Sequence, residues 1–163
     1  EAEIGLWTDK HTREARLQMM SASMQGALAF QKGLGCVHSL SHSLGGIDPR
    51  LHHGTLNAVF LPAVIEFNAH APSVRQDNKL ARLAHAMALT PSAGAAADPA
   101  QALSQAISAM NRRLGLPRGL RDMGVSETLF PRVVEGALAD HCHKTNPREA
   151  SREDYVDILN RSM

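Results

Sequence analysis

Histidine is the residue type with the most chemistry to offer in this sequence. Nine occur in 163 positions, and His38, His42, His52 and His53 form the densest group. His38 and His42 stand four apart, a spacing that puts two side chains on one face of a helix. His52 and His53 follow a Gly45-Gly46 pair and an Ile47-Asp48-Pro49-Arg50 turn. A helix starting there can bring His53, or His52, back beside His38 around one point. Imidazole is the commonest ligand for divalent first-row metals, and iron, zinc or nickel would suit such a site. The same residues could equally be surface or interface histidines with satisfied hydrogen bonds, because an HxxxH pair with no adjacent glutamate is a weak motif. Two imidazoles also leave a divalent ion short of donors, since sites of this type use at least three protein ligands. Asp48 is the only carboxylate near the cluster in sequence, so further ligands are expected from outside the chain.

Other candidates carry less. His141-Cys142-His143 resembles a metal motif, but positions two apart diverge on a helix, and a helix-end cluster is the expectation. Gly33-Leu34-Gly35 does not continue into GxGxxG after a strand, so it reads as a loop and not as a nucleotide fingerprint. No GxSxG nucleophile elbow occurs. Met19, Met20, Met24 and Met110 read as core fillers. Cys36 and Cys142 are too few for a disulfide framework and are expected as free thiols. With 17 basic against 16 acidic side chains and 4% aromatics, nothing favours a nucleic-acid partner. No apolar run approaches the roughly 20 residues needed to span a bilayer, and no secretory signal opens the chain. A cytoplasmic protein is expected. The start at Glu1, with no Met, gives the further expectation of an excised piece.

The elements that must hold these residues are helical. Apolar positions recur with a helical period, segment after segment, and few stretches alternate. The spacing predicts a helix over about 13–31 with Thr12 as N-cap, a short one over 37–44 ending at Gly45-Gly46, and a third from His53-Gly54 to Phe67 with Pro62 inside it. A fourth covers about 77–88, and Thr90 to Ala97 reads as a mobile loop. Asp98-Pro99 caps a fifth, Ser126 a sixth, and Ser151 with Asp154 forms a capping box for the last. The fold class is all-α, a single bundle of about seven helices over 1–163.

Three stretches carry a resemblance. The first is Gly33-Leu34-Gly35-Cys36-Val37-His38-Ser39-Leu40-Ser41-His42-Ser43-Leu44-Gly45-Gly46, and the second is His53-Gly54-Thr55-Leu56-Asn57-Ala58-Val59-Phe60-Leu61-Pro62. The third runs from Asp140 through His141-Cys142-His143-Lys144-Thr145-Asn146-Pro147 to Arg148. With Ala15-Arg16, the 23–30 segment, Leu114-Gly115-Leu116-Pro117 and the 120–125 segment, they follow in order the motifs GLGxxHxxxHxxGxx, PHGxxNAxxLP, LGLPxxLxxLGV and DxCxxTNPR. The chain therefore resembles the C-terminal helical domain of the iron-containing (group III) alcohol dehydrogenases over nearly its whole length.

That resemblance implies a dehydroquinate-synthase-like α domain. It also implies a divalent metal held by one aspartate and three histidines between two domains, of which His38 and His53 carry over as ligands. His42 falls beside the nicotinamide as a candidate proton relay, and Phe30 at an aromatic position lining the same region. The N-terminal Rossmann-like domain, with the other two ligands and the NAD or NADP site, is expected to be missing. Full-length relatives of this type oxidise a small alcohol to an aldehyde or ketone, and a homo-oligomer is compatible with the resemblance. His52 replaces the motif's proline, which keeps it as a rival ligand to His53. Three alternatives stay open: a related oxidoreductase on the same scaffold, such as a glycerol dehydrogenase or maleylacetate reductase, which fits the motifs less well; a non-enzymatic helical metal-binding or interaction module; and an autonomous metal protein whose site Asp48 or His52 completes. With two of four ligands, the 163 residues alone are expected to retain metal weakly and to show no alcohol-dependent NAD(P) reduction. Robust turnover by the purified chain would overturn that expectation.

Overall fold

The computed structural model describes residues 10–89 and 98–163, so the expected loop at 90–97 lies outside the described residues. Eight α-helices appear among them, with four short 3-10 turns and no strand. They are α1 (Lys10–Ala29), α2 (Gly35–Ile47), α3 (His53–Asn68), α4 (Pro72–Arg75), α5 (Lys79–Ala86), α6 (Pro99–Arg113), α7 (Phe130–Ala139) and α8 (Arg152–Arg161). The residues fall into two compact units, Glu1–Gly33 and Leu34–Met163. No helix among the described residues is long and apolar enough to cross a membrane.

The first unit offers α1 and a 3-10 turn (Phe30–Lys32). Thr12 lies inside this helix and does not cap it. Met19, Met20 and Met24 are exposed, as are Leu17 and Leu28, which corrects the reading of these methionines as core fillers. One helix and one turn supply no second layer against which an apolar stripe can pack.

The second unit is organised around α3. Its sequence is apolar on almost every side, the pattern of a helix buried between others. Leu56, Phe60, Val64 and Phe67 join Leu40 and Leu44 of α2, Val133, Val134 and Ala137 of α7, and Tyr155, Ile158 and Leu159 of α8 in one core. Ile65 packs in a smaller cluster with Ala84 of α5 and Ala100, Leu103 and Ile107 of α6. Both later caps form as expected. Asp98 accepts from the Ala100 N–H ahead of Pro99, and Ser151 and Asp154 close a reciprocal capping box on α8. Ser126 caps a 3-10 turn (Glu127–Leu129) that leads into α7, so the sixth expected helix starts a few residues late.

Pro62 sits within α3 without ending it. Proline has no N–H, so the carbonyl of Ala58, one turn earlier, loses its intrahelical partner. The buried Asn111 of α6 fills the gap, its Nδ2 donating to the Ala58 oxygen at 2.8 Å. The imperfection in α3 thus becomes a latch between α3 and α6. Asn111→Ala should cost about 1–3 kcal/mol in urea unfolding, because it strands a buried carbonyl. In a Pro62→Ala background, where residue 62 regains its N–H, the same change should cost under about 1 kcal/mol.

Candidate metal centre

Two helices and one turn build the site. α2 starts at Gly35, two residues before the expected Val37, and runs through Gly45-Gly46 to Ile47. Leu34 at its N-cap has no side chain able to accept a hydrogen bond, and the free N–H groups are met from far along the chain. Thr145 Oγ1 accepts from Leu34 N–H at 3.2 Å, and Asn146 Oδ1 accepts from Cys36 N–H at 3.1 Å. Asn146 is itself fixed by a two-way amide pair with Asn68 at the end of α3, at 2.7 and 3.3 Å. Gly35 has φ +70°, and a Cβ there would lie 2.5 Å from Asn146 Oδ1, so only glycine permits this approach. Further along, Ser43 Oγ donates to the Val133 carbonyl of α7 at 2.8 Å, opposite Gly136, where any Cβ would strike Ser43.

α2 so held presents His38 and His42 toward the start of α3. The His38 and His53 ring centroids are 5.3 Å apart, and His42 stacks on His53 at 5.2 Å with a 15° interplanar angle. Asn57, one turn after His53 on α3, places its Nδ2 3.0 Å from His53 Nε2 and 3.3 Å from His38 Nε2. The two Nε2 atoms therefore converge on one point. Asn57 Oδ1 is buried and finds no partner among the described residues, so protein atoms do not close the polar accounting there. His52 plays a different part. As N-cap of α3, its Nδ1 accepts from Thr55 N–H at 3.3 Å.

The local electrostatics favour the neutral form of His38 and His53. Burial, followed by the neighbouring His53 and His42, lowers the His38 pKa, and burial followed by His42 and His52 lowers that of His53. A neutral ring keeps the lone pair that a metal needs. Two convergent, unprotonated imidazoles fit two corners of a divalent transition-metal site.

The carboxylate beside the cluster is not Asp48. That residue is held in a fork by Arg50, at 2.9 and 2.8 Å, which pulls its pKa down to about 2. The fold brings in Asp140 from the end of α7, with Oδ2 3.0 Å from His42 Nδ1. Burial opposes ionisation of Asp140, but the Cys142 N–H and His42 outweigh it and its pKa falls. Ligand atoms of His42, Asp140 and Cys142 lie within 4.8 Å of one another, a grouping that could itself hold an ion. The Cys142 thiol, however, is pushed up to about 11 by burial and by Asp140, and Asp140 is already engaged by His42 and the Cys142 N–H. A hydrogen-bonded cluster accounts for the trio.

The 141–143 segment is a 3-10 turn (His141–Thr145), whose side chains diverge as expected. His143 turns inward to the Tyr155 hydroxyl at 2.9 Å, while His141 stacks 6.1 Å from His42. Phe30 belongs to the first unit, where it is exposed. Sequence spacing overlooked Asn57 and Asp140. The first was legible as the position four after His53, and the second only as the opening residue of the Asp140–Arg148 motif.

The pKa directions fix a pH dependence. A free histidine titrates near ~6.5, and folding lowers His38 and His53 below that value. Their stability contribution is then complete above the unfolded value and is lost as pH falls through the folded ones. Metal-free protein should lose stability between about pH 7 and 5, and a His38→Gln/His53→Gln variant should lose less. Urea midpoints at the two pH values measure the difference.

Comparison with known proteins agrees with this architecture. Residues 4–163 match the family model described as Fe-containing alcohol dehydrogenase family, C-terminal. The chain is 61% identical over 159 residues to a 4-hydroxybutyrate dehydrogenase of Cupriavidus necator, covering 95% of this chain and 40% of that protein. Among solved structures, an alcohol dehydrogenase from Oenococcus oeni superposes with a TM-score of 0.84 at 30% identity, over 96% of this chain and 40% of the other. A 1,3-propanediol oxidoreductase gives 0.82 at 34% identity, over 92% and 38%. The chain thus spans about 40% of the length of these relatives. Helical architecture, paired histidines and matched residues lead to one assignment: the chain belongs to the iron-containing alcohol dehydrogenase family and corresponds to its C-terminal, all-helical part.

Proposed function

We propose that these 163 residues form the metal-binding helical part of an NAD(P)-dependent dehydrogenase that oxidises a small alcohol to an aldehyde or ketone. The observation that carries this reading is the convergence of His38 Nε2 and His53 Nε2 on one Asn57 nitrogen. His38 and His53 would hold the divalent ion, iron by family resemblance, with zinc or nickel compatible with the same donors. The remaining ligands and the nucleotide site would come from residues outside this chain. His53 is preferred over His52 because its ring faces His38 and His42, whereas His52 is occupied in capping α3.

The chemistry that a bound divalent ion supplies is Lewis-acid polarisation of the alcohol oxygen, which eases loss of its proton. Within this chain, α2 and α3 would orient the two ligand rings, and burial lowers the pKa of both. His42 would accept the hydroxyl proton and pass it to solvent, a role supported by its position beside them with its side chain 35% exposed. For Phe30 as a residue bordering the nicotinamide, the support is the resemblance alone. The 61% identical relative, named for 4-hydroxybutyrate, makes an ω-hydroxy acid the first substrate to assay.

The test joins metal analysis to turnover in the longer protein that carries this chain. The parent should hold about one metal per subunit and reduce NAD+ or NADP+ with 4-hydroxybutyrate or 1,3-propanediol. His38→Ala and His53→Ala should each lower metal affinity at least about tenfold and abolish turnover, while His52→Ala should keep both. Full metal and activity in the His38→Ala/His53→Ala double variant would contradict the proposal.

A further inference from the structure

We propose that Asp140 is a positioning residue for His42, fixing the imidazole in the tautomer that leaves Nε2 free to take the substrate proton. The inference rests on the reading of His42 as a proton relay. Three observations on the geometry support it. First, Asp140 Oδ2 lies 3.0 Å from His42 Nδ1, and an ionised carboxylate can only accept, so Nδ1 must carry the hydrogen. Second, the carboxylate cannot easily swing away. Its other oxygen accepts the Cys142 N–H at 2.8 Å as cap of the 141–145 turn, and the side chain is only 15% exposed. Third, the His42 ring stacks on His53 at 5.2 Å, with the His141 ring near-parallel to it at 6.1 Å. Among the described residues Nε2 of His42 has no hydrogen-bond partner, so its lone pair is available.

The step balances simply. The alcohol O–H bond breaks and its proton goes to Nε2, while the C–H hydride goes to NAD(P)+, the oxidant of the proposed reaction. The resulting imidazolium is stabilised by the Asp140 charge across the Nδ1–H bond, and Asp140 itself stays ionised, as the carboxylate does in a serine-protease triad. The proton then passes from the half-exposed ring to solvent. Cys142 takes no chemical part; its N–H fixes the carboxylate.

The experiment uses the full-length metal-loaded protein and the variants Asp140→Asn, His42→Gln and their combination. Asparagine also caps the 141–145 turn, so folding should survive. Its amide nitrogen would donate to His42 Nδ1 and force the opposite tautomer. 15N NMR of histidine-labelled protein loaded with zinc, with His42 assigned by its loss in His42→Gln, should show a protonated Nδ1 in the parent and a protonated Nε2 in Asp140→Asn. Asp140→Asn should lower kcat about 100-fold or more at little changed KM and metal content, and should add nothing in the His42→Gln background. A parent-like tautomer or a kcat within about threefold of the parent in Asp140→Asn overturns the proposal. Loss of metal in that variant also overturns it, because Asp140 would then serve the metal and not the proton. If His42→Gln is as fast as the parent, the relay reading itself has failed. If His42→Gln is slow and Asp140→Asn is not, only the positioning role falls.

Discussion

The site depends on one polar contact between distant parts of the chain: the Asn146 side chain at the N-terminus of α2. Its Oδ1 caps Cys36 N–H, and its amide pairs with Asn68 at the far end of α3. The two helices that carry His38, His42 and His53 are thereby referred to the same side chain. Thr145 adds a second cap on Leu34 N–H, and Asp140, at the other end of the same short turn, reaches His42. A helix whose first N–H groups are satisfied by a fixed partner cannot fray or slide along its axis without losing them. Residues 140–146 therefore set where α2 begins and how one of its histidines is turned. Gly35 completes the arrangement, because a Cβ at that position would occupy the space of Asn146 Oδ1.

The energetics favour neutral, receptive rings at His38 and His53. Burial disfavours their protonation, and the neighbouring imidazoles, with ring centroids within 5.7 Å, add to that. Asp140 hydrogen-bonds to His42, the ring that would accept charge on the proposed reading. On that reading, this placement sets one proton-relay ring beside two rings that would hold a metal. It follows from where the turn after α7 ends, not from any difference among the three side chains.

Helical class, the Asp98-Pro99 start, the Ser151–Asp154 box and the convergence of His38 with His53 were legible because each is written in local spacing or capping chemistry. The start of α2 was not. Its cap is Asn146, more than a hundred residues away, so the local sequence at Leu34 offers no signal and Val37 looked like the first helical residue. Its end was misjudged for the opposite reason. Gly45-Gly46 is a stop signal in an exposed helix, but here the flanking Leu44 is fully buried in the core and packing overrides the local cost. Asp48 looked like the nearest carboxylate because only sequence distance was available, whereas Arg50 holds it and Asp140 arrives through the fold. The methionines of α1 have the residue type of core fillers, yet they are exposed, and the helix and turn described in their unit offer no second layer.

If the Asn146 contact holds α2, and with it His38 and His42, in place, losing it must loosen the first turn of that helix. Amide hydrogen exchange on the longer, metal-loaded protein tests it most directly, comparing the parent with Asn146→Ala. Exchange at Cys36 and the following turn of α2 should rise at least about tenfold in the variant, with a parallel loss of metal affinity, while α6 keeps its protection. Unchanged exchange in the first turn of α2, together with unchanged metal affinity, would contradict it.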